Sequence, residues 1–260
     1  MKDIALVTGA SSGLGLEFAK LFAQDGYDLV LVARSADKLD ALAHELDQVY
    51  DVTAWTVAAD LSTPEGLATL TSFTRSSGLV ISALVNNAGF GDCADFAQAD
   101  IAKLDQMVEL NIRALMDLSY YYLGDMLERN SGLILNVASV AGFEPGPGMA
   151  TYFASKAFVL SFSEALAEEL RGTGIHVTAL CPGTTATKFW DVAEAGTLSM
   201  LRQAVMAKPE DVAAYGYESL KRGRVVAVPG IGNKLMVNAP RFVPRALVRR
   251  IVRELLRKNG

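Results

Sequence analysis

Short aliphatic and β-branched runs alternate along the chain with segments in which apolar residues recur every three or four positions. The runs at residues 4–8, 29–33, 52–58, 83–86, 133–138, 176–180 and 224–228 have strand length, and several are apolar without a break. A strand of that kind is buried on both faces. Alternated with helices, such strands predict an α/β protein with one doubly wound parallel sheet and helices on both faces. In the first connection, Leu14, Phe18, Leu21 and Phe22 share one helical face and Gly26 closes the helix. Residues 151–171 are rich in good helix formers. Val108, Leu115, Leu118 and Tyr122 form an inward stripe in another helix; Asn111 lies on it, so its amide is expected to be buried and hydrogen-bonded.

A length of 260 residues, 51% apolar, fits one domain around one sheet. Two segments differ from the rest: residues 188–209, expected to be a substrate lid, and a basic tail, 240–260, beyond a catalytic unit spanning 1–239. The net charge of −5 gives nucleic acid no long-range attraction and argues against it as a partner. Cys93, Cys181, His44 and His176 have no metal-ligand spacing, so no metal is expected. The first apolar run is too short for a signal peptide and no run approaches the roughly 18 residues of a spanning helix, from which a cytoplasmic location is expected.

The chemistry begins at Thr8-Gly9-Ala10-Ser11-Ser12-Gly13-Leu14-Gly15, between the first strand and the first helix. A diphosphate can sit on the unpaired N–H groups of a helix's first turn if no side chain blocks the approach, and Gly9, Gly13 and Gly15 remove side chains there. Tyr152 and Lys156, four apart, project from one helical face. To exchange protons near neutral pH a phenol must come down by roughly 3 pKa units, about 4 kcal/mol, and a nearby ammonium is expected to supply much of that. Ser139 follows a buried strand, so its hydroxyl emerges at the sheet's carboxyl edge, where it can donate to a substrate oxygen.

The glycine loop, Asn86-Asn87-Ala88-Gly89 after the fourth strand, Ser139 after the fifth, Tyr152-x-x-x-Lys156, and Pro182-Gly183 after the sixth together resemble the short-chain dehydrogenase/reductase family, over about residues 3–230. The resemblance implies a Rossmann-type sheet of seven strands in the order 3-2-1-4-5-6-7, with cofactor and substrate above the carboxyl ends of the strands, as open α/β sheets generally bind ligands. It further implies a catalytic set of Asn111, Ser139, Tyr152 and Lys156, in which Tyr152 exchanges the proton and Asn111 positions a water linking Lys156 to solvent. Cofactor contacts are implied for Gly9, Ser11, Ser12, Gly13, Leu14, Gly15, Asp60, Leu61, Asn87, Ala88, Gly89, Tyr152, Lys156, Pro182, Gly183, Thr185 and Thr187. Relatives are dimers or tetramers, which implies a homo-oligomer packed through the helices bearing Asn111 and Tyr152.

NAD-preferring relatives carry an acidic residue at the end of the second strand; here Ala33 stands there and Arg34 follows, so NADP(H) is expected over NAD(H), which stays open as an alternative. Phe90, Phe143, Met149, Phe189 and Trp190 are candidates for an apolar substrate wall. The activity expected is reduction of a medium or bulky apolar ketone or aldehyde, or the reverse. Two alternatives remain: a nucleotide-binding regulator without turnover, and an epimerase or dehydratase of nucleotide-linked sugars. In the tail, Leu247, Val248, Ile251, Val252, Leu255 and Leu256 alternate with Arg245, Arg249, Arg250, Arg253 and Arg257. Such a basic amphipathic helix packs on its own domain, on a neighbouring subunit or on an anionic membrane.

Overall fold

A computed structural model describes residues 2–186 and 206–256. Seven parallel strands form one sheet in the order β3-β2-β1-β4-β5-β6-β7. They are β1 Ile4–Thr8, β2 Asp28–Ala33, β3 Ala54–Ala58, β4 Ile81–Asn86, β5 Gly132–Val137, β6 Ile175–Leu180 and β7 Val226–Ala227. The helices are α1 Gly13–Gln24, α2 Ala36–Tyr50, α3 Pro64–Ser76, α4 Ile101–Val108, α5 Leu115–Arg129, α6 Ala150–Glu169, α7 Pro209–Lys221, α8 Ile231–Asn238 and α9 Arg245–Leu256. The strand order reverses between β1 and β4, so a crevice opens above their carboxyl ends.

Period-two alternation divides each strand between two cores. Ala5, Val7, Leu29, Leu31 and Val85 pack with Phe18 and Phe22 of α1, Leu39 of α2 and Leu220 of α7. Leu6, Val30, Val32 and Leu84 face the other way, toward Leu70 of α3, Leu118 and Met126 of α5, and Leu166 of α6. Helix α1 ends as its sequence suggests: Gly26 takes φ +84°, its N–H donates to Ala23, and the Tyr27 N–H reaches back to Phe22. The last strand is shorter than the run 224–228, because it is an edge that pairs with β6 only at Val226 and Ala227.

The stripe expected through Val108 needs correction. Between α4 and α5 the helix widens into a π turn, Glu109–Ala114, which adds a residue to the turn and shifts the phase of the buried face. Met107, Asn111, Ala114, Leu115, Leu118 and Tyr122 are buried, whereas Val108 is exposed.

A buried polar string ties this layer to the sheet. Asn86 Nδ2 donates to Ser119 Oγ on α5 (3.0 Å) and to Asn136 Oδ1 on β5 (2.9 Å), and Asn136 Nδ2 donates to Ser163 Oγ on α6 (2.9 Å). Removing one member strands its partners in a dry layer, at about 1–3 kcal/mol. Asn136→Ala is therefore expected to lower the free energy of unfolding by about 1–3 kcal/mol, read as an earlier urea midpoint at unchanged slope. An unmoved midpoint would show that the string carries no net stability.

Candidate active site

The glycine loop is tied to the end of β4 through Thr8. Its Oγ1 accepts from the N–H groups of Asn87 (2.9 Å) and Ala88 (3.0 Å) and donates to the Val85 carbonyl (3.1 Å). Asn87 Nδ2 donates in turn to the Thr8 carbonyl at 2.8 Å. Gly9 and Gly13 take φ +66° and +58°, values that favour glycine. A β carbon at Gly15 would strike the Gly9 carbonyl and lie 2.6 Å from Asn87 Nδ2, so only glycine lets α1 begin this close to the loop. Ser12 caps α1 without a side-chain hydrogen bond, and no acidic residue lies in the first turn. The positive end of the helix dipole thus faces the crevice without a carboxylate of its own, as a diphosphate requires.

Above the strand ends lies one cavity of about 990 Å³. Gly9, Ser11, Ser12, Gly13, Leu14, Arg34 and Ser35 line one end; Asp60, Leu61, Asn87, Ala88 and Gly89 follow. Burial raises the Asp60 carboxyl, but two hydrogen bonds from Ser62 and the charge of Arg34 outweigh it, and Asp60 is held below its ordinary value. In the middle stand Ser139, Tyr152 and Lys156, with Pro182, Gly183 and Thr185 opposite. A β carbon on Gly183 would sit 2.6 Å from Asn233 Oδ1, so this glycine lets α8 close over the turn.

The phenol of Tyr152 is hydrogen-bonded to Ser139, whose Oγ also accepts from the Ala141 N–H at 3.1 Å. Lys156 Nζ donates to the Val137 carbonyl at 2.8 Å and lies 5.9 Å from the centroid of the Tyr152 ring. Burial pushes the phenol up to about 12, against the smaller opposing effect of Ser139, and pushes Lys156 down to about 8. The expectation that the ammonium lowers the phenol is not met by the protein's own groups. In this enclosed site desolvation disfavours both charged forms, and the ammonium is spent on a main-chain carbonyl.

Asn111 reaches this centre from the π turn. Its Oδ1 accepts from the Phe90 N–H (3.1 Å), and its Nδ2 donates to the Phe90 carbonyl (2.9 Å) and to Ser155 Oγ (3.1 Å). Both amide hydrogens are therefore engaged, and the side chain pins the loop after β4 to α6. A β carbon on Gly89 would lie 2.9 Å from Asn111 Oδ1 and 3.6 Å from Lys156 Nζ. Gly89 thus keeps open the gap between the two polar atoms.

Of the residues expected at the site, Gly15 and Asn111 do not line the cavity but hold groups that do. Phe90 and Met149 line it; Phe143 does not. Phe143 stands one 3₁₀ turn beyond Val140 and packs with it on a cluster containing Val159, Leu160 and Val237. Thr187, Phe189 and Trp190 lie outside the described residues, as does most of the expected lid; of that segment, Ala207 bridges to Thr185 and Pro209 opens α7.

Sequence reasoning missed the far end of the cavity, where Lys103, Gln106, Glu144, Asn233, Met236, Val252 and Leu256 contribute. Burial alone raises the Glu144 carboxyl above its usual range. The tail helix supplies Val252 and Leu256 because one side of it packs on the domain: Val248 and Val252 join Leu104, Met107, Met149, Tyr152 and Phe153 in a single cluster. The adjacent apolar pairs in the tail were the available signal, though they do not say which domain face they meet.

Residues 3–197 match the family model described as short chain dehydrogenase. The chain is 36% identical over 219 residues to sulfoacetaldehyde reductase 2 of Chromohalobacter salexigens, covering 82% of this chain and 86% of that one. Among solved structures it resembles a short-chain dehydrogenase from Sphingobium yanoikuyae in complex with NADPH, at a TM-score of 0.83 and 33% identity over 94% of each chain. It also resembles a bulky-bulky ketone specific alcohol dehydrogenase from Comamonas testosteroni, at a TM-score of 0.78 and 32% identity over 92% of each chain. The strand order, the glycine loop tied to β4 and the buried Ser139, Tyr152 and Lys156 accord with that match, and the chain belongs to the short-chain dehydrogenase family of oxidoreductases.

Proposed function

We propose that the protein is an NADP(H)-dependent carbonyl reductase or alcohol dehydrogenase acting on medium or bulky, largely apolar substrates. The observation that carries this reading is a single cavity with a cationic Arg34 at the adenosine end and a hydrogen-bonded Ser139–Tyr152 pair in the middle.

The fit to a dinucleotide rests on the uncapped first turn of α1 and on the closeness that Gly9, Gly13 and Gly15 permit. The glycine loop would hold the diphosphate, Arg34 with Ser11 and Ser35 the 2′-phosphate, Asp60 and Leu61 the adenosine half, and Asn87, Ala88, Gly89, Lys156, Pro182, Gly183 and Thr185 the nicotinamide half. When bound, the nicotinamide supplies or accepts the hydride. Tyr152, protonated at neutral pH as any phenol is, gives its proton to the carbonyl oxygen, and Ser139 donates a second hydrogen bond to the same oxygen as charge develops there. Lys156 is held by the Val137 carbonyl, with its ammonium 5.9 Å from the centroid of the Tyr152 ring, where it would meet the nicotinamide half.

An apolar wall of Phe90, Met149, Phe153, Met236, Val252 and Leu256 supports the substrate class, as does the likeness to an enzyme for bulky ketones. Exposed Tyr120, Met116 and Leu127 on α5 support association into a dimer or tetramer through that helix.

Two measurements test this reading. NADPH is expected to bind at least about tenfold more tightly than NADH, and Arg34→Ala to remove most of the difference, since a bidentate charged contact contributes about 1.5–3 kcal/mol. Equal dissociation constants for the two cofactors would refute the preference. Tyr152→Phe keeps the ring and loses the proton, so turnover should fall by about 10²-fold or more with cofactor affinity nearly unchanged. Retention of more than about a hundredth of wild-type turnover would mean that another group exchanges the proton.

A further inference from the structure

Helices α8 and α9 each turn one side to the cavity, Asn233 and Met236 from α8 and Val252 and Leu256 from α9. Away from it they leave large apolar side chains uncovered. Ile231 and Leu235, one helical turn apart on α8, are exposed. Leu247 and Ile251, one turn apart on α9, are each 48% exposed, and Phe242 in the connection is 87% exposed. The packed side of α9 is accounted for by its own domain; these side chains are not.

The charge of the same segment is opposite to that of the rest. Residues 231–260 hold eight of the 24 lysines and arginines but one of the 29 acidic residues, so the segment is strongly basic while the body of the protein is strongly acidic. On α9, Arg250 is exposed and lies beside the apolar pair, whereas Arg249, also exposed, projects from the other side of the helix. A second copy fits this face poorly: a twofold contact would bring the two sets of arginines against each other. Nor do apolar side chains dispersed over two helices and their connection need a shaped partner. They suit a fluid surface with negative headgroups.

We propose that the α8–α9 face docks on an anionic lipid bilayer, its apolar side chains entering the headgroup boundary and its arginines pairing with lipid phosphates. The two helices that carry the docked surface also line the cavity, through Asn233, Met236, Val252 and Leu256. If the reductase reading above holds, docking keeps the enzyme close to carbonyl compounds dissolved in the bilayer. The docking itself does not depend on that reading.

Co-sedimentation of the full-length protein with vesicles tests it. Binding is expected to vesicles of phosphatidylcholine with phosphatidylglycerol at low salt, to weaken at high salt, and to be slight with phosphatidylcholine alone. Arg250→Gln should weaken the partition about fivefold, given about 1 kcal/mol per basic residue at an anionic surface. Leu247→Ser with Ile251→Ser should weaken it about tenfold. Both variants should keep wild-type melting and wild-type turnover of a water-soluble carbonyl, so a fault in the reductase reading would appear as absent turnover in every protein, apart from the sedimentation result. Equal binding to neutral vesicles, no binding at low salt, or wild-type partition by the arginine variant would overturn the proposal. So would a smaller particle in light scattering for Leu247→Ser/Ile251→Ser without any change in sedimentation, which would assign the face to a second copy.

Discussion

The tie between Thr8 and Asn87 is the constraint on which the site depends. Strands β1 and β4 are neighbours in the sheet but far apart in sequence, and their connections leave in opposite directions, which is what opens the crevice. One threonine hydroxyl there accepts two main-chain N–H groups of the β4 loop, and the Asn87 amide returns a bond to the Thr8 carbonyl. The glycine loop is thereby fixed at its first residue, and α1 can start only where Gly15 clears the Gly9 carbonyl and Asn87. The proposed dinucleotide surface and the approach to the proposed proton-transfer centre thus depend on one interaction between strand ends.

From Asn87 the constraint passes along the chain to Gly89 and Phe90. Asn111 clasps Phe90 from the π turn, and the same amide bonds Ser155 on α6, the neighbour in sequence of Lys156. Lys156 is then directed to the Val137 carbonyl at the end of β5. Three strand ends and two helices therefore meet within a few hydrogen bonds, all of them buried or part-buried. In such surroundings an unpaired polar group is expensive, so the arrangement has few alternatives. The same dryness sets the pKa values. It holds the Tyr152 phenol above its ordinary value, so the proton leaves only against charge developing on the substrate oxygen, and makes Lys156 easier to deprotonate.

Much of this was legible in the residues. Unbroken aliphatic runs mark strands covered on both faces, and the glycine spacing with the Tyr152–Lys156 pair names the family and with it the strand order. The π turn was not legible, because Val108, Leu115, Leu118 and Tyr122 continue a plausible 3.6-residue rhythm across it and only the widened turn reveals the change of phase. The direction of the Tyr152 shift was also hidden: sequence shows a nearby ammonium but not the depth of burial that overrides it. Phe143 was misjudged because its neighbours in sequence border the cavity while its own ring goes beneath. The tail helix displayed its two faces plainly, but which of its apolar residues would become the wall of the cavity is a matter of tertiary packing.

The central claim is that Tyr152 and Ser139 serve a hydride transfer between NADP(H) and a carbonyl carbon in this cavity. NADPH carrying deuterium at the transferable C4 position, incubated with the protein and a series of bulky ketones and aldehydes, tests it most directly by NMR of the products. The account predicts an alcohol with deuterium on the carbinol carbon and only a solvent proton on its oxygen. Tight NADPH binding with no labelled alcohol from any substrate in the series, or a carbinol hydrogen drawn from solvent, would contradict it.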